Sequence, residues 1–237
     1  MLPIFILIGF IAELIDSSLG MAYGVTSSSF LQLVGMGVAE ASATTHCAEV
    51  FLTAASGASH VRLGNFSRKL FLSLLIPGVV AGALGAVAVS TIRVYGMREA
   101  VAIYLALMGV LIIARSLGRV ISLPRVHPSL LATAGGFLDA VGGGGWGPIV
   151  TGTLLANGEN PRHAIGSVNT AEFFVTVTET AVFLSLGKAN PLFVLLILLG
   201  GLPSAFLGAW LVKKMDAGKL MFLVGITLII VNVIRII

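Results

Sequence analysis

Six acidic residues, Glu13, Asp16, Glu49, Asp139, Glu172 and Glu179, fall within apolar or interrupted stretches that hold no lysine or arginine. Carboxylates inside a membrane cost at least about 2.5–3.5 kcal/mol each and default to functional candidates. Read alone, they point to a proton or cation path. Thr45 shares a helical face with Glu49 at i, i+4, and Asn169 shares one with Glu172 at i, i+3. Glu49 and Glu172 are therefore the first candidates for proton coupling, with bonding of interrupted backbone as the competing structural role. Asp16 and Asp139 stand just before Gly/Ser-rich breaks, where capping exposed amides is the simplest role.

A second chemistry is anion binding. Gly142 to Gly145 run into Trp146, Gly147 and Pro148. Each glycine costs a helix interior about 1 kcal/mol relative to alanine, and proline removes a donor. Backbone unwound in a bilayer survives only when buried in protein or lining a wet cavity, and its amides make an anion cradle. Gly20, Gly24, Gly143, Gly144, Gly145 and Gly147 are the expected cradle glycines. His46, Asn169, Thr45 and Thr170 would add side-chain donors. His46 and Asn169 occupy equivalent places in the two halves and are expected to face each other. Tyr23, Trp146 and Cys47 are expected to gate or line the cavity, although packing is the commoner role for such residues. His60, beside Arg62, reads as interfacial.

The elements that must hold these groups are membrane helices. The chain of 237 residues is 57% hydrophobic and 10% charged, with mean hydropathy +1.05. That excludes a water-soluble domain, and the net charge of +4 reads as loop topology rather than nucleic-acid binding. The one cysteine forms no internal disulfide and the four scattered histidines have no zinc spacing, so neither metal nor cofactor is expected. The N-terminus lacks a basic signal region and reads as a retained membrane segment. Segments 70–90, 99–114, 191–212 and 219–237 read as clean spans, and 41–60 and 163–186 as spans dotted with polar residues. The stretches 1–35 and 129–157 read as broken helices or folded-back half-helices.

The halves repeat. Asp16 and Asp139 are 123 residues apart, and the same offset superposes Gly20 on Gly143, Gly24 on Gly147, Ala48-Glu49 on Ala171-Glu172, Thr53 on Thr176 and Gly64 on Gly187. The expected organisation is a first repeat over 1–114, a basic linker over 115–128 and a second repeat over 129–237. Duplication of this kind is the ground plan of secondary transporters, whose sites lie near the midplane. The distribution of basic loops favours an inverted arrangement, with the loops near 62–69 and 115–125 cytoplasmic.

An acidic residue before a Gly-rich break in each half, the four-plus-four segments, Asn169-Thr170-Ala171-Glu172, and PGVVAGALGA with PSAFLGAW resemble the sulfite exporter TauE/SafE family. The first half departs from it, with Met21-Ala22 in place of Gly144-Gly145. The resemblance implies an all-helical multi-pass permease of the cytoplasmic membrane that exports sulfite or an organosulfonate. Its partners would be the anion, membrane lipid, protons if coupled, and a second copy if dimeric. For an anion permease some of the buried acids must be protonated. Two other readings stay open: a cation or proton carrier using the carboxylates, and an intramembrane aspartyl protease with Asp16 and Asp139 as its dyad.

Overall fold

Backbone polar groups enclosed by apolar side chains must pair within their own segment, which favours helices throughout this chain. The computed structural model describes the chain apart from residues 1, 22, 25–26, 28–30, 32–35, 37, 92–96, 120–124, 143, 186–190 and 237. Among the described residues the regular elements are α1 (Leu2–Leu19), α2 (Val38–Leu63), α3 (Arg68–Thr91), α4 (Met97–Ser116), α5 (Pro128–Gly142), α6 (Trp146–Ala156), α7 (Pro161–Ser185), α8 (Pro191–Lys214) and α9 (Ala217–Ile236). The start of α2 and both bounds of α3 recur in α7 and α8 at the 123-residue offset.

The bundle is inside out relative to a soluble protein. On α3, Leu72, Ile76, Val80, Leu84 and Val87 follow one another at helical spacing and are more than half exposed; Leu192, Leu195, Leu199 and Phe206 do the same on α8. The interior instead holds all six acids named above, none more than 3% exposed. By length and composition, Arg68–Ala88 of α3 and α8 qualify to cross a membrane among the described residues. Helices α4 and α9, also expected as clean spans, carry charged residues near their ends.

Small residues set how the helices meet. Helix α1 runs parallel to α8: the Phe5 and Phe193 rings stand 4.6 Å apart, Gly9 packs on Ile197, and Ser17 Oγ donates to the Ser204 carbonyl at 3.2 Å. Helix α5 runs parallel to α3 in the same manner, with Gly136 on Gly78 and Gly85 on Phe137 and Ala140. The contact of Gly85 with Ala140 has its counterpart, at the same offset, in Gly208 against Ser17. Pro77 leaves the Ser73 carbonyl without its helical donor. Ser129 Oγ takes its place at 3.0 Å.

Helices α2 and α7 cross antiparallel. His46 meets Glu179, Gly57 meets Thr170, and Ser67 N donates to Ser167 Oγ at 2.9 Å. Helices α4 and α9 are also antiparallel, with Gly225 on Gly109 and Ile113, and Gly218 near the Ser116 carbonyl.

These contacts gather the α2–α3 turn, the N-termini of α5, α7 and α9, and the C-termini of α4 and α8 at one end of the bundle. Arg162 Nη2 donates to the Met215 carbonyl there at 3.2 Å, and Asn65 Nδ2 to the Ala209 carbonyl at 3.0 Å. Arg62, Arg68, Lys69, Arg119, Arg125, Arg162, Lys213, Lys214 and Lys219 therefore belong to the same end.

Close glycine contacts have a testable cost. Gly208→Val forces a side chain into Ser17 and should destabilise the bundle by about 1–3 kcal/mol. Ile76→Leu, on an outer face 69% exposed, should leave thermal unfolding in detergent unchanged. Equal melting temperatures for the two variants would contradict this packing.

Candidate functional site

Two polar stripes face each other at the core. Helix α2 presents His46, Glu49, Thr53, Ser56 and His60, and α7 presents Asn169, Glu172, Thr176 and Glu179; all are buried. The spacing i, i+3, i+7, i+10 keeps each set on one helical face. The two stripes are in register at the 123-residue offset, with Phe183 at the place of His60.

The antiparallel crossing decides which residues meet. His46 Nε2 lies 2.9 Å from Glu179 Oε2 and 3.7 Å from Asp139 Oδ2, and its ring packs on Phe183 with centroids 5.4 Å apart. His46 and Asn169 do not form the facing pair expected from sequence. Equivalent positions on antiparallel helices lie on opposite sides of the crossing, so residue 46 meets 179 and residue 169 meets 60. With carboxylates at its ring nitrogen, His46 is also poorly placed to receive an anion.

His60 is buried rather than interfacial, because α2 continues to Leu63 and α1, α7 and α8 cover it. Its Nε2 donates to the Ser17 carbonyl at 2.8 Å, and its Nδ1 accepts from Asn65 Nδ2 at 3.3 Å. One neutral tautomer satisfies both bonds. Asn169 Nδ2 reaches the Asp16 carbonyl at 3.4 Å and lies 3.4 Å from His60 Nε2. Sequence reasoning passed over His60 and Asn65 as site residues and counted Glu179 only among the six acids. The signal for His60 and Glu179 was their place on the two polar stripes.

The carboxyls crowd together. Glu49 has His46, Asp139, Asp16 and Glu179 as electrostatic neighbours, and Glu172 has Asp16, Glu49, Asp139 and Glu13. Both oxygens of Glu13, one each of Asp16, Glu49, Asp139 and Glu172, and Thr45 Oγ1 have no hydrogen-bond partner among the described residues. His46, Glu49 and Asp139 offer a nitrogen and two carboxylate oxygens within 4.8 Å of one another, and these three would hold a cation. Thr170 Oγ1 is turned back onto the Gly166 carbonyl at 2.6 Å.

Both helix breaks are present and closed by acids. Helix α1 ends at Leu19 and Gly20 takes φ 70°; α5 and α6 are separated at residues 143–145, where Gly144 takes φ 133°. Side chains other than glycine rarely adopt such angles. Asp139 Oδ1 accepts from Trp146 N at 2.9 Å, and Asp16 Oδ1 from Tyr23 N at 3.4 Å. The two bonds are equivalent at the repeat offset. Gly20 N donates to the Asp16 carbonyl at 2.5 Å and Gly144 N to that of Asp139 at 3.2 Å. Three amides of the expected anion cradle are thus already bonded, those of Gly144 and Trp146 to Asp139 and that of Gly20 to Asp16.

The remaining cradle glycines act in close packing. Gly147 lies against Gly20 and Met21, so the two breaks touch; Gly145 lies under Leu138 and Asp139. Gly24 is buried beside Tyr23, and Gly143 lies outside the described residues. Trp146 is fully buried, packs on Gly78, and donates from Nε1 to the Val168 carbonyl at 3.3 Å. Tyr23 is also buried. Cys47 belongs to the helical stripe of exposed Phe51, away from that of Glu49.

A sulfite exporter TauE/SafE family model matches residues 5–234, nearly the whole chain. The chain belongs to this family. It is 41% identical over 243 aligned residues, covering 98% of this chain and 81% of the relative, to a protein of Bacillus subtilis (strain 168) described as "Probable membrane transporter protein YtnM". No solved structure matches it significantly. As a TauE/SafE protein it is a membrane transporter and not an enzyme, and the protease reading of Asp16 and Asp139 gives way to two capping acids.

If these aspartates secure the breaks, Asp139→Ala should cost about 1 kcal/mol of stability, within the 0.5–2 range of lost caps. Asp16→Ala should cost less, its bond being longer. Thermal unfolding of both variants in the same detergent checks the order.

Proposed function

We propose that this TauE/SafE protein is a secondary transporter that exports sulfite or an organosulfonate across the cytoplasmic membrane. In this reading, repeats 1–114 and 129–237, joined by the linker 115–128, are related by inversion. The observation that carries it is the antiparallel crossing of two polar stripes inside an apolar-surfaced bundle. Helices equivalent by the offset and running in opposite directions fit inverted repeats, which place substrate near the midplane. Export direction follows from the family resemblance. The end rich in Arg and Lys would face the cytoplasm by the positive-inside rule.

The substrate anion would sit at the crossing, between Asn169 and Thr170 on one side and Thr45 on the other, near the backbone at Gly24, Gly145 and Gly147. Six buried acids, with no buried lysine or arginine among the described residues, would repel an anion unless several are neutral, which would tie anion passage to protonation. Glu49 and Glu172 would couple the two. The crowded carboxyls favour one rival, a cation or proton carrier.

Two experiments test the reading. Sulfite, thiosulfate, sulfate, sulfoacetate or taurine should raise the melting temperature of the detergent-solubilised protein, since ligand stabilisation follows mass action. No shift from any of them at millimolar concentration, with charge-selective cation flux in liposomes, would favour the rival. In proteoliposomes a pH gradient should accelerate sulfoacetate transport, and Glu49→Gln with Glu172→Gln should remove that acceleration. Transport indifferent to the gradient and unchanged in the double variant would rule out proton coupling.

A further inference from the structure

The interior of the bundle gathers carboxyls around one imidazole. His46 Nε2 lies 2.9 Å from Glu179 Oε2 and 3.7 Å from Asp139 Oδ2, and Glu49 stands one helical turn beyond His46 on α2. His46, Glu49 and Asp139 each offer a ligand atom within 4.8 Å of the other two, and none of the three is more than 2% exposed. Glu49 Oε2 and Asp139 Oδ2 have no hydrogen-bond partner among the described residues. Asp139 Oδ2 is the oxygen that faces the ring, while Oδ1 is engaged by Trp146 N.

We propose that His46, Glu49 and Asp139 form a site for one divalent first-row transition metal ion, of the Zn²⁺ class, in each chain. The inference goes beyond the transport reading and depends neither on which anion is carried nor on what couples its movement. An ion on Glu49 excludes a proton from the same oxygen, so occupancy of the site would oppose the coupling role given to that residue above.

The donor set chooses the class of ion. Hard cations such as Ca²⁺ and Mg²⁺ are held by oxygen ligands, about six or more of them. An imidazole nitrogen beside carboxylate oxygens suits Zn²⁺ and its neighbours, which three protein ligands can hold with a further position left open. An ion about 2.0–2.2 Å from each ligand brings neighbouring ligands to about 3–4 Å from one another. The separation of 3.7 Å between His46 Nε2 and Asp139 Oδ2 already meets this. Glu179 closes the cluster from α7, backed by α3, where a Cβ on Gly82 would stand 2.7 Å from its Oε1.

Charge favours occupancy. Asp16 on α1 and Glu172 on α7 are further electrostatic neighbours of Glu49 and Asp139, and no buried lysine or arginine stands among the described residues. Carboxylates in such surroundings are costly. A divalent ion would offset two of these charges where the carboxyls converge on the ring. The histidines are too scattered in sequence for a zinc motif within one segment, and here the third ligand arrives from the other half of the chain.

The 123-residue offset supplies an internal comparison. It sets Asn169 in the place of His46 and Ser56 in that of Glu179, while Glu172 and Asp16 match Glu49 and Asp139. The second end thus keeps two carboxyls, each with an unpartnered oxygen. Its nitrogen donors are committed: Asn169 Nδ2 reaches the Asp16 carbonyl at 3.4 Å, and His60 uses both ring nitrogens, on the Ser17 carbonyl and Asn65. Two carboxyls without an available imidazole are a poorer site for a transition metal, so one ion per chain is expected.

The test uses the full, untagged chain in detergent, stripped of metal with EDTA and titrated with Zn²⁺ by isothermal calorimetry. One ion per chain should bind, at least about tenfold more tightly than Ca²⁺, Mg²⁺ or Na⁺. His46→Asn and Asp139→Asn should each weaken Zn²⁺ binding by about 10–100-fold or more, and Asp139→Asn keeps an oxygen for Trp146 N. Changing the exposed His127 and His163 together to Asn should leave the affinity within about twofold. No Zn²⁺ binding by the wild type, equal binding of the hard cations, retention by both ligand variants, or loss on removing the exposed histidines overturns the assignment. X-ray absorption of Zn²⁺-loaded wild type needs no substitution and should show one imidazole nitrogen with oxygens at about 2.0–2.2 Å. A shell of several imidazoles, of sulfur or of water oxygens alone overturns it as well. None of these readouts is transport, so their failure leaves the proposed function standing, and failure of the anion screen leaves this site standing.

Discussion

A peptide N–H opened within a bilayer has no water to receive it, and this constraint organises the centre of the molecule. Asp16 and Asp139 meet it from seven residues back along the chain, accepting from Tyr23 N and Trp146 N beyond the breaks. Placing an acid there fixes much else. The breaks must be buried, Gly20 and Gly144 must take backbone angles that side chains disfavour, and Gly147 must be bare for the two breaks to touch. The parallel contacts of α1 with α8 and of α5 with α3 follow the same demand, since glycines on those helices let each broken helix lie close to its support.

Around that centre the usual partition of polarity is reversed. Leucine, isoleucine, valine and phenylalanine face outward, whereas carboxyls, hydroxyls and two histidines face the α2–α7 crossing. Carboxyls held in such surroundings are expensive. Their number, with no buried lysine or arginine among the described residues, links anion passage to proton movement in the proposed function.

Much of this was legible in the sequence. The 123-residue offset foretold that α2 and α7 would start at matching places, and the Gly-rich run foretold the gap between α5 and α6. Capping by Asp16 and Asp139 was readable from their position before the breaks. The direction of α2 relative to α7 was not, because periodicity identifies a helical face but not the helix that covers it. For that reason His46 was paired with Asn169 instead of Glu179. His60 was misjudged because nearby Arg62 signals a helix end, while the covering helices come from distant parts of the chain. The amides of Gly144 and Trp146 read as free donors because a sequence does not show that an acid seven residues earlier has reached one of them.

The central claim of the proposed function is that the halves are inverted copies, which would bring the two breaks and all six acids to one shared centre. Lys69 and Leu192 occupy equivalent places, and both are exposed at the starts of α3 and α8. Single cysteines introduced there, in a Cys47→Ser background, can be probed in intact cells with a membrane-impermeant thiol reagent. The account predicts labelling of Leu192→Cys from outside, with Lys69→Cys reacting only after the membrane is permeabilised. Labelling of both positions from the same side would contradict it.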